Sequence, residues 1–192
     1  MNLLLASQNK HKAVEIEQYL GMHHTVKSLS ELGFVDELPE THATFRENAS
    51  EKARFVFQRF GVPCFAEDSG LEVTALHGEP GVYSARYAGP GKNDADNMVK
   101  LLHNLEGIEN REATFRTVIA LVMKEEEHFF EGAVQGKIAL APSGSHGFGY
   151  DPVFIPEGYS ETFAVLGQAV KHKISHRAKA LAQLLQFLER RP

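Results

Sequence analysis

The apolar positions change period several times along this chain, and each change marks an element. Leu3 to Ala6 is a short apolar run followed by polar Ser7, Gln8 and Asn9, after which Ala13, Ile16 and Leu20 recur at helical spacing. That pattern predicts strand, loop and helix. A second short run begins at Thr25 and Val26, and a polar, acidic loop from Asp36 to His42 follows, broken by Pro39. The strongest helix signal opens at Thr44-Phe45-Arg46-Glu47, a capping box in which the Thr44 hydroxyl caps a backbone N–H and Glu47 reaches back. Phe45, Ala49, Ala53, Val56, Phe57 and Phe60 then make one apolar stripe, with Asn48, Glu51 and Lys52 on the opposite face. Gly61 stands where a left-handed terminal residue belongs, and Pro63 lies just beyond.

Cys64 to Ala66 reads as a strand running into Glu67-Asp68-Ser69-Gly70, and the weak alternation of Leu71 to Leu76 as another. His77 to Asp94 is rich in Gly and Pro and predicts loop; Ala95 to Leu105 predicts a helix. Phe115 to Met123 is β-branched and apolar, a buried strand. The charged Lys124 to Glu127 predicts a turn into a hairpin partner, Phe129 to Ala139, weakened by Gly132 and Gly136. Pro142 to Asp151 is glycine-dense, Val153 to Ile155 is strand-like, and a last helix starts near Ser175 and buries Ala178, Leu181, Ala182, Leu185 and Leu188. Strands mixed with helices predict an α/β fold with a mixed sheet. There is no internal repeat and no linker long enough to divide the chain, so residues 1–192 are expected to form one domain.

Composition narrows the function. Apolar residues are 43% and charged residues 23% of 192, the balance of an ordinary globular protein and not of a disordered one. The formal net charge is -5, so no bulk positive field draws in nucleic acid. The single cysteine, Cys64, excludes an internal disulfide and suits a reducing compartment; it reads as a small buried hydrophobe. No apolar stretch approaches the roughly 20 residues of a membrane span. Met1 to Leu5 lacks a basic leader, so a cytoplasmic protein without a membrane partner is expected.

Against that acidic background, two helices open with cations. The first begins Lys10, His11, Lys12 and the last His176, Arg177, Lys179, each where the helix dipole favours acids by about 0.3–1 kcal/mol per charge. A bound polyanion would resolve both, because helix N-termini with Lys or Arg make phosphate sites. Glu67-Asp68-Ser69-Gly70, at a strand end, offers adjacent carboxylates suited to a hard cation or a general base, although Asp-Ser-Gly is also a common turn. Glu40 could join a metal site or be a solvated loop acid. Gly147 to Pro152 could bring backbone and the Phe148 ring against a ligand, or be a turn over a core aromatic. Gly132 to Lys137 misses phosphate-loop spacing, no Gly-x-Ser-x-Gly elbow is present, and the histidines form no zinc pattern.

Taken together and in order, Ala6 to Lys12, Thr44 to Ala49, Lys52 to Arg54, Ala66 to Leu71, Pro80 to Tyr87, Gly147 to Pro152 and Ser175-His176-Arg177 resemble the inosine triphosphate pyrophosphatase family. The resemblance spans nearly the whole chain. It implies an elongated mixed sheet flanked by helices, two lobes around an active-site cleft, and a homodimer. It implies hydrolysis of ITP, dITP and XTP to the nucleoside monophosphate and pyrophosphate, with Mg²⁺ as cofactor and no nucleic-acid partner. Ser7, Gln8, Asn9, Lys10, His11 and Lys12 would hold the triphosphate, with Lys52 adding a cation. Glu40 and Asp68 would hold the metal, Asp68 would also accept the proton, and Ser69 would touch the substrate. Phe148, Gly149, Tyr150 and Asp151 would line the nucleoside pocket, and Lys171, His176 and Arg177 would read the base. Gln8 stands where many members have Gly, and Glu67 would support the metal indirectly. Two other readings remain open: a related pyrophosphatase of modified pyrimidine or 7-methylguanine nucleotides, and a nucleotide sensor that does not cleave. Paired metal carboxylates distinguish the enzyme from the sensor.

Overall fold

The computed structural model describes residues 2–21, 24–124 and 126–191. Six strands share one sheet in the order β2-β1-β3-β4-β5-β6: β1 (Asn2–Leu5), β2 (Thr25–Ser28), β3 (Cys64–Val73), β4 (Glu112–Met123), β5 (Glu126–Ile138) and β6 (Phe154–Pro156). β1 pairs in parallel with β2 and with β3, whereas β5 and β6 are antiparallel, so the sheet is mixed as expected. The helices are α1 (Lys10–Leu20), α2 (Phe45–Phe60), α3 (Asp94–Asn104), α4 (Phe163–Leu166), α5 (Gln168–Ile174) and α6 (His176–Glu189).

Two compact units emerge, each assembled from separated stretches of chain and not divided by a linker. Unit 1 comprises residues 1–68, 117–131 and 179–192, and unit 2 residues 69–116 and 132–178. β3, β4 and β5 contribute to both. In unit 1, Leu3, Leu5, Ile16, Leu20, Phe65, Ile119, Leu121, Leu181 and Leu184 form one core cluster, and Leu4, Leu29, Ala49, Ala53, Val56, Cys64 and Ala66 a second. Consecutive strand residues point to opposite faces, which is why Leu3 and Leu5 serve one cluster and Leu4 the other. In unit 2, Leu71, Val73, Leu101, Leu105, Phe115, Val153, Phe154 and Phe163 make the core.

Several boundaries differ from the pattern reading. Cys64 to Val73 is one unbroken strand, and Glu67-Asp68-Ser69-Gly70 lies inside it and makes no turn. Eight of its ten residues are buried, so both faces are covered and the period-two signal that would have revealed the strand is absent. Thr74–Leu76 is a short 3-10 helix, not strand, and Gly81–Arg86 is another inside the segment read as loop. Asn48 and Lys52, expected on the solvent face of α2, are 1% and 4% exposed. Ala182 is exposed and Leu184 takes its place in the core. Glu126 and Glu127 belong to β5; Glu125 lies outside the described residues. Gly136 has a reason to be in β5: a Cβ there would overlap the Ile155 carbonyl of β6.

The caps match. Asn9 Oδ1 accepts from Lys12 N at 3.1 Å, Thr44 Oγ1 from Glu47 N at 3.2 Å, and Ser175 Oγ from Ala178 N at 3.1 Å. In the box, Glu47 Oε2 receives the Thr44 hydroxyl at 2.7 Å. Gly61 ends α2 with φ +67°, the left-handed value a side chain disfavours.

Candidate active site

Each unit carries its own group of functional side chains. In unit 1 they gather on β3. Glu67 and Asp68 are consecutive strand residues, 2% and 6% exposed, and therefore point to opposite faces. Asp68 meets α2, where Asn48 and Lys52 are one turn apart and share a helix face. Lys52 Nζ lies 3.3 Å from Asp68 Oδ1 and 2.5 Å from Glu40 Oε1, and Asn48 Nδ2 donates to Asp68 Oδ2 at 3.2 Å. Glu67 Oε1 receives Lys12 Nζ at 3.2 Å from the first turn of α1. The cation-first helix start read from the sequence is thus met by a buried carboxylate.

The loop that carries Glu40 is tied down on both sides. Thr41 donates from its N–H and its hydroxyl to the Glu51 carboxylate at 2.9 and 2.8 Å, and His42 N donates to Asn48 Oδ1 at 2.9 Å. Gln8 spans to the same loop, donating from Nε2 to Asp36 O at 2.7 Å. Ser7 Oγ accepts from Asn9 N at 3.2 Å, and Lys10 and His11 are exposed at the start of α1.

Burial pushes the Asp68 carboxyl above its ordinary value, against the pull of Lys52 and Lys12. Burial also works against the Lys52 ammonium, but Asp68 and Glu40 together outweigh it and its pKa is raised. Glu40, Glu67 and Asp68 oppose Lys12 and Lys52, so with all five ionised the group holds one surplus negative charge.

Among the described residues no cluster of three or more His, Cys, Asp or Glu side chains could hold a metal ion. Two carboxylates suffice where a phosphate supplies further oxygens, because Mg²⁺ is usually held by one or two carboxylates with substrate phosphates and water. Glu40 and Asp68, brought to the same ammonium with a surplus of negative charge, fit that requirement.

In unit 2 the glycine-dense segment folds around Asp151, which is 2% exposed. Asp151 Oδ2 accepts from Phe148 N at 2.9 Å and from Lys171 Nζ at 2.7 Å. Gly147 has φ +80°, and a Cβ there would overlap that same oxygen. Lys171 Nζ stands 4.6 Å, and Arg177 Cζ 5.6 Å, from the Phe148 ring centroid. Arg177 Nη2 donates to Ser69 Oγ at 3.3 Å. The His176 ring stacks on Phe115 with centroids 4.7 Å apart and planes 7° apart. Tyr150 is 4% exposed and its hydroxyl donates to Ser84 O at 2.8 Å, so it anchors the segment from behind. Burial pushes its phenol upward, helped by Tyr87 and Asp94.

Of the residues named from the sequence, Lys12, Glu40, Lys52 and Asp68 come together in unit 1, and Ser69, Phe148, Asp151, Lys171, His176 and Arg177 in unit 2. Pattern reading passed over Asn48 and Phe115. The spacing of four between Asn48 and Lys52 was a usable signal for the first. Nothing local marks Phe115, whose partner lies 61 residues away along the chain.

The fold and these groups define a mixed α/β protein that pairs carboxylates with ammoniums in each of its two units. The chain belongs to the Ham1 family, whose family model matches residues 3–187. It is 51% identical over 187 residues to a dITP/XTP pyrophosphatase of Porphyromonas gingivalis, covering 97% of this chain and 96% of that one. It is 48% identical over 188 residues to a dITP/XTP pyrophosphatase of Flavobacterium johnsoniae, covering 98% of each. The solved structure of a Ham1 protein from Coxiella burnetii superposes with a TM-score of 0.90 at 39% identity, again covering 98% of each chain. Among the described residues no helix is long and apolar enough to cross a membrane.

Proposed function

We propose that this chain hydrolyses non-standard purine nucleoside triphosphates, dITP, XTP and ITP, to the monophosphate and pyrophosphate. The observation that carries the reading is the Glu40–Lys52–Asp68 group in a Ham1-family chain, with Lys52 and Asp68 buried and Glu40 partly exposed, since recognition alone does not call for two carboxylates on one ammonium. Lys10, Lys12 and Lys52 bind the triphosphate and offset its charge as bonds rearrange. Ser7, Gln8, Asn9 and His11 complete the loop that receives it. Asp68 accepts the proton of the attacking water, and Lys52 and Asn48 hold its carboxylate in place for that task. A divalent cation, Mg²⁺, held by Glu40 and Asp68 would supply further charge neutralisation on the phosphate oxygens.

The nucleoside is received by unit 2. Phe148 offers a ring face, the backbone of Phe148 and Gly149 approaches the sugar or base, and Tyr150 and Asp151 hold that backbone. Ser69 adds a hydroxyl. Lys171, His176 and Arg177 present donors to a purine 6-oxo group. The 6-amino group of adenine would set donor against donor, a mismatch that can discriminate by about 10⁴. The enzyme is expected to act in the cytoplasm as a homodimer, a state that sedimentation analysis would test. The functional test is pyrophosphate release from ITP, dITP, XTP, GTP and ATP, with and without Mg²⁺. Rapid, metal-dependent release from ITP and little from ATP is the expected result; equal rates on ATP and ITP overturn the reading.

A further inference from the structure

We propose that Asp94 is a positioning residue for nucleoside recognition, acting through the Phe148–Gly149 peptide; the inference rests on the assignment of that segment to the nucleoside. Gly149 N donates to Asp94 Oδ2 at 2.7 Å, across 55 residues of sequence. The carbonyl of the same peptide, Phe148 O, accepts from Asp151 N at 3.2 Å. One peptide plane is therefore held at both ends, its N–H by Asp94 and its C=O by Asp151. Gly149 sits at φ +62°, in the region where glycine moves without steric penalty, so the two bonds and not side-chain bulk define this plane. Phe148 N is held as well, by Asp151 Oδ2 at 2.9 Å, so the peptides on both sides of the Phe148 Cα are fixed, and with them the direction of its ring toward Lys171 and Arg177.

Asp94 is itself on a fixed support. It is the first residue of α3, where the helix dipole favours a carboxylate, and the Asn93 side chain caps Asp96 N at 3.0 Å. The buried Asn97 accepts from Ala88 N at 2.7 Å and donates to Ala85 O at 3.1 Å, and Leu101 and Leu105 are fully buried. The segment 84–94 thus reaches the nucleoside segment at two points, Ser84 O on the Tyr150 hydroxyl and Asp94 on the Gly149 amide. It gives a role to the Gly- and Pro-rich stretch His77 to Asp94, of which Pro80 to Tyr87 carries the family resemblance but no assigned chemistry. Because the Gly149 N–H is committed to Asp94, the main chain that approaches the ligand does so without that donor.

The test uses steady-state kinetics on ITP with Asp94→Ala, Asp94→Asn, Asp96→Ala and Phe148→Ala. Losing an exposed hydrogen bond to a charged acceptor should raise KM about tenfold in Asp94→Ala, with kcat within about threefold. Asp94→Asn keeps an acceptor oxygen and should recover most of that loss. Asp96→Ala, which removes a neighbouring charge from the same helix turn, should match the parent enzyme. An unchanged KM in Asp94→Ala overturns the proposal, as does a fall in kcat and melting temperature that Asn does not rescue. Phe148→Ala separates the two readings. If it raises KM while Asp94→Ala does not, the role of Asp94 alone fails; if neither raises KM, the assignment of the segment to the nucleoside fails first.

Discussion

Lys52 and Asp68 face each other at 3.3 Å with both side chains almost fully buried, and Glu40 closes on the same ammonium from the adjoining loop. Removing one partner of a buried pair leaves an uncompensated charge, at a cost of about 3–5 kcal/mol. Lys52→Met keeps the length and loses the charge. We expect a melting temperature lower by many degrees and pyrophosphate release at least 100-fold slower, the size of effect seen on losing one electrostatic donor from a reaction centre. A variant that melts with the parent protein would show that the pair does not matter to the fold.

Asp68→Asn separates chemistry from architecture. The amide can still receive Lys52, so the protein should fold with a normal circular dichroism spectrum. Without a proton acceptor, turnover should fall by about 100-fold or more. Near-normal turnover in a folded variant would remove Asp68 from its proposed role.

His176 lies flat on Phe115, and such aromatic pairs contribute about 0.5–1.5 kcal/mol beyond area burial. Phe115→Leu keeps an apolar core residue but loses the flat face that sets the imidazole plane. The preference for ITP over ATP should drop by up to about tenfold, read as the ratio of kcat/KM values. A change in stability with an unaltered ratio would leave Phe115 a packing residue only.

Cys64 gives a pH signature. Burial pushes its thiol up to about 12 from an ordinary 9.0, while the thiol also donates to Ala53 O at 3.1 Å. Between those values the unfolded chain releases this proton and the folded chain keeps it, so the unfolded state binds fewer protons and stability falls as pH rises. The effect is absent below pH 9 and grows toward pH 12, to about 4 kcal/mol at most. Urea unfolding from pH 8 to pH 11 should show a steeper alkaline decline for the parent than for Cys64→Ala. Parallel curves would refute it. Alkylation of the folded protein at pH 8 should also be slow, because no thiolate is present.

The start and end of α2 were legible because they are local. Thr44, Glu47 and Gly61 act on backbone groups within four residues, and a window of sequence contains both partners. Asn9 and Ser175 cap α1 and α6 through equally local bonds. The cations at the starts of α1 and α6 were legible as anomalies, because no acid stands beside them in the first turn. The strand-end reading of Glu67 to Gly70 was not sound, although the two carboxylates it singled out are buried and paired. It assumed that polar residues mark a loop, whereas here they are carried in mid-strand and neutralised by Lys12 and Lys52 from two different helices.

By itself, then, the sequence determined the main strands, the helices α1, α2, α3 and α6, both ends of α2, and the residue kinds from which a triphosphate enzyme can be made, since each depends on neighbours within a turn or two. Only the tertiary structure decided which polar residues are buried and whom they meet. Lys52 leaves the solvent face of its helix for Asp68, Gln8 spans to the loop of Glu40, and Asp94 reaches Gly149. Burial of a charge such as that of Lys52 is costly unless a partner is supplied, and the partners in these three contacts lie 16 to 55 residues away along the chain, beyond the reach of any local pattern.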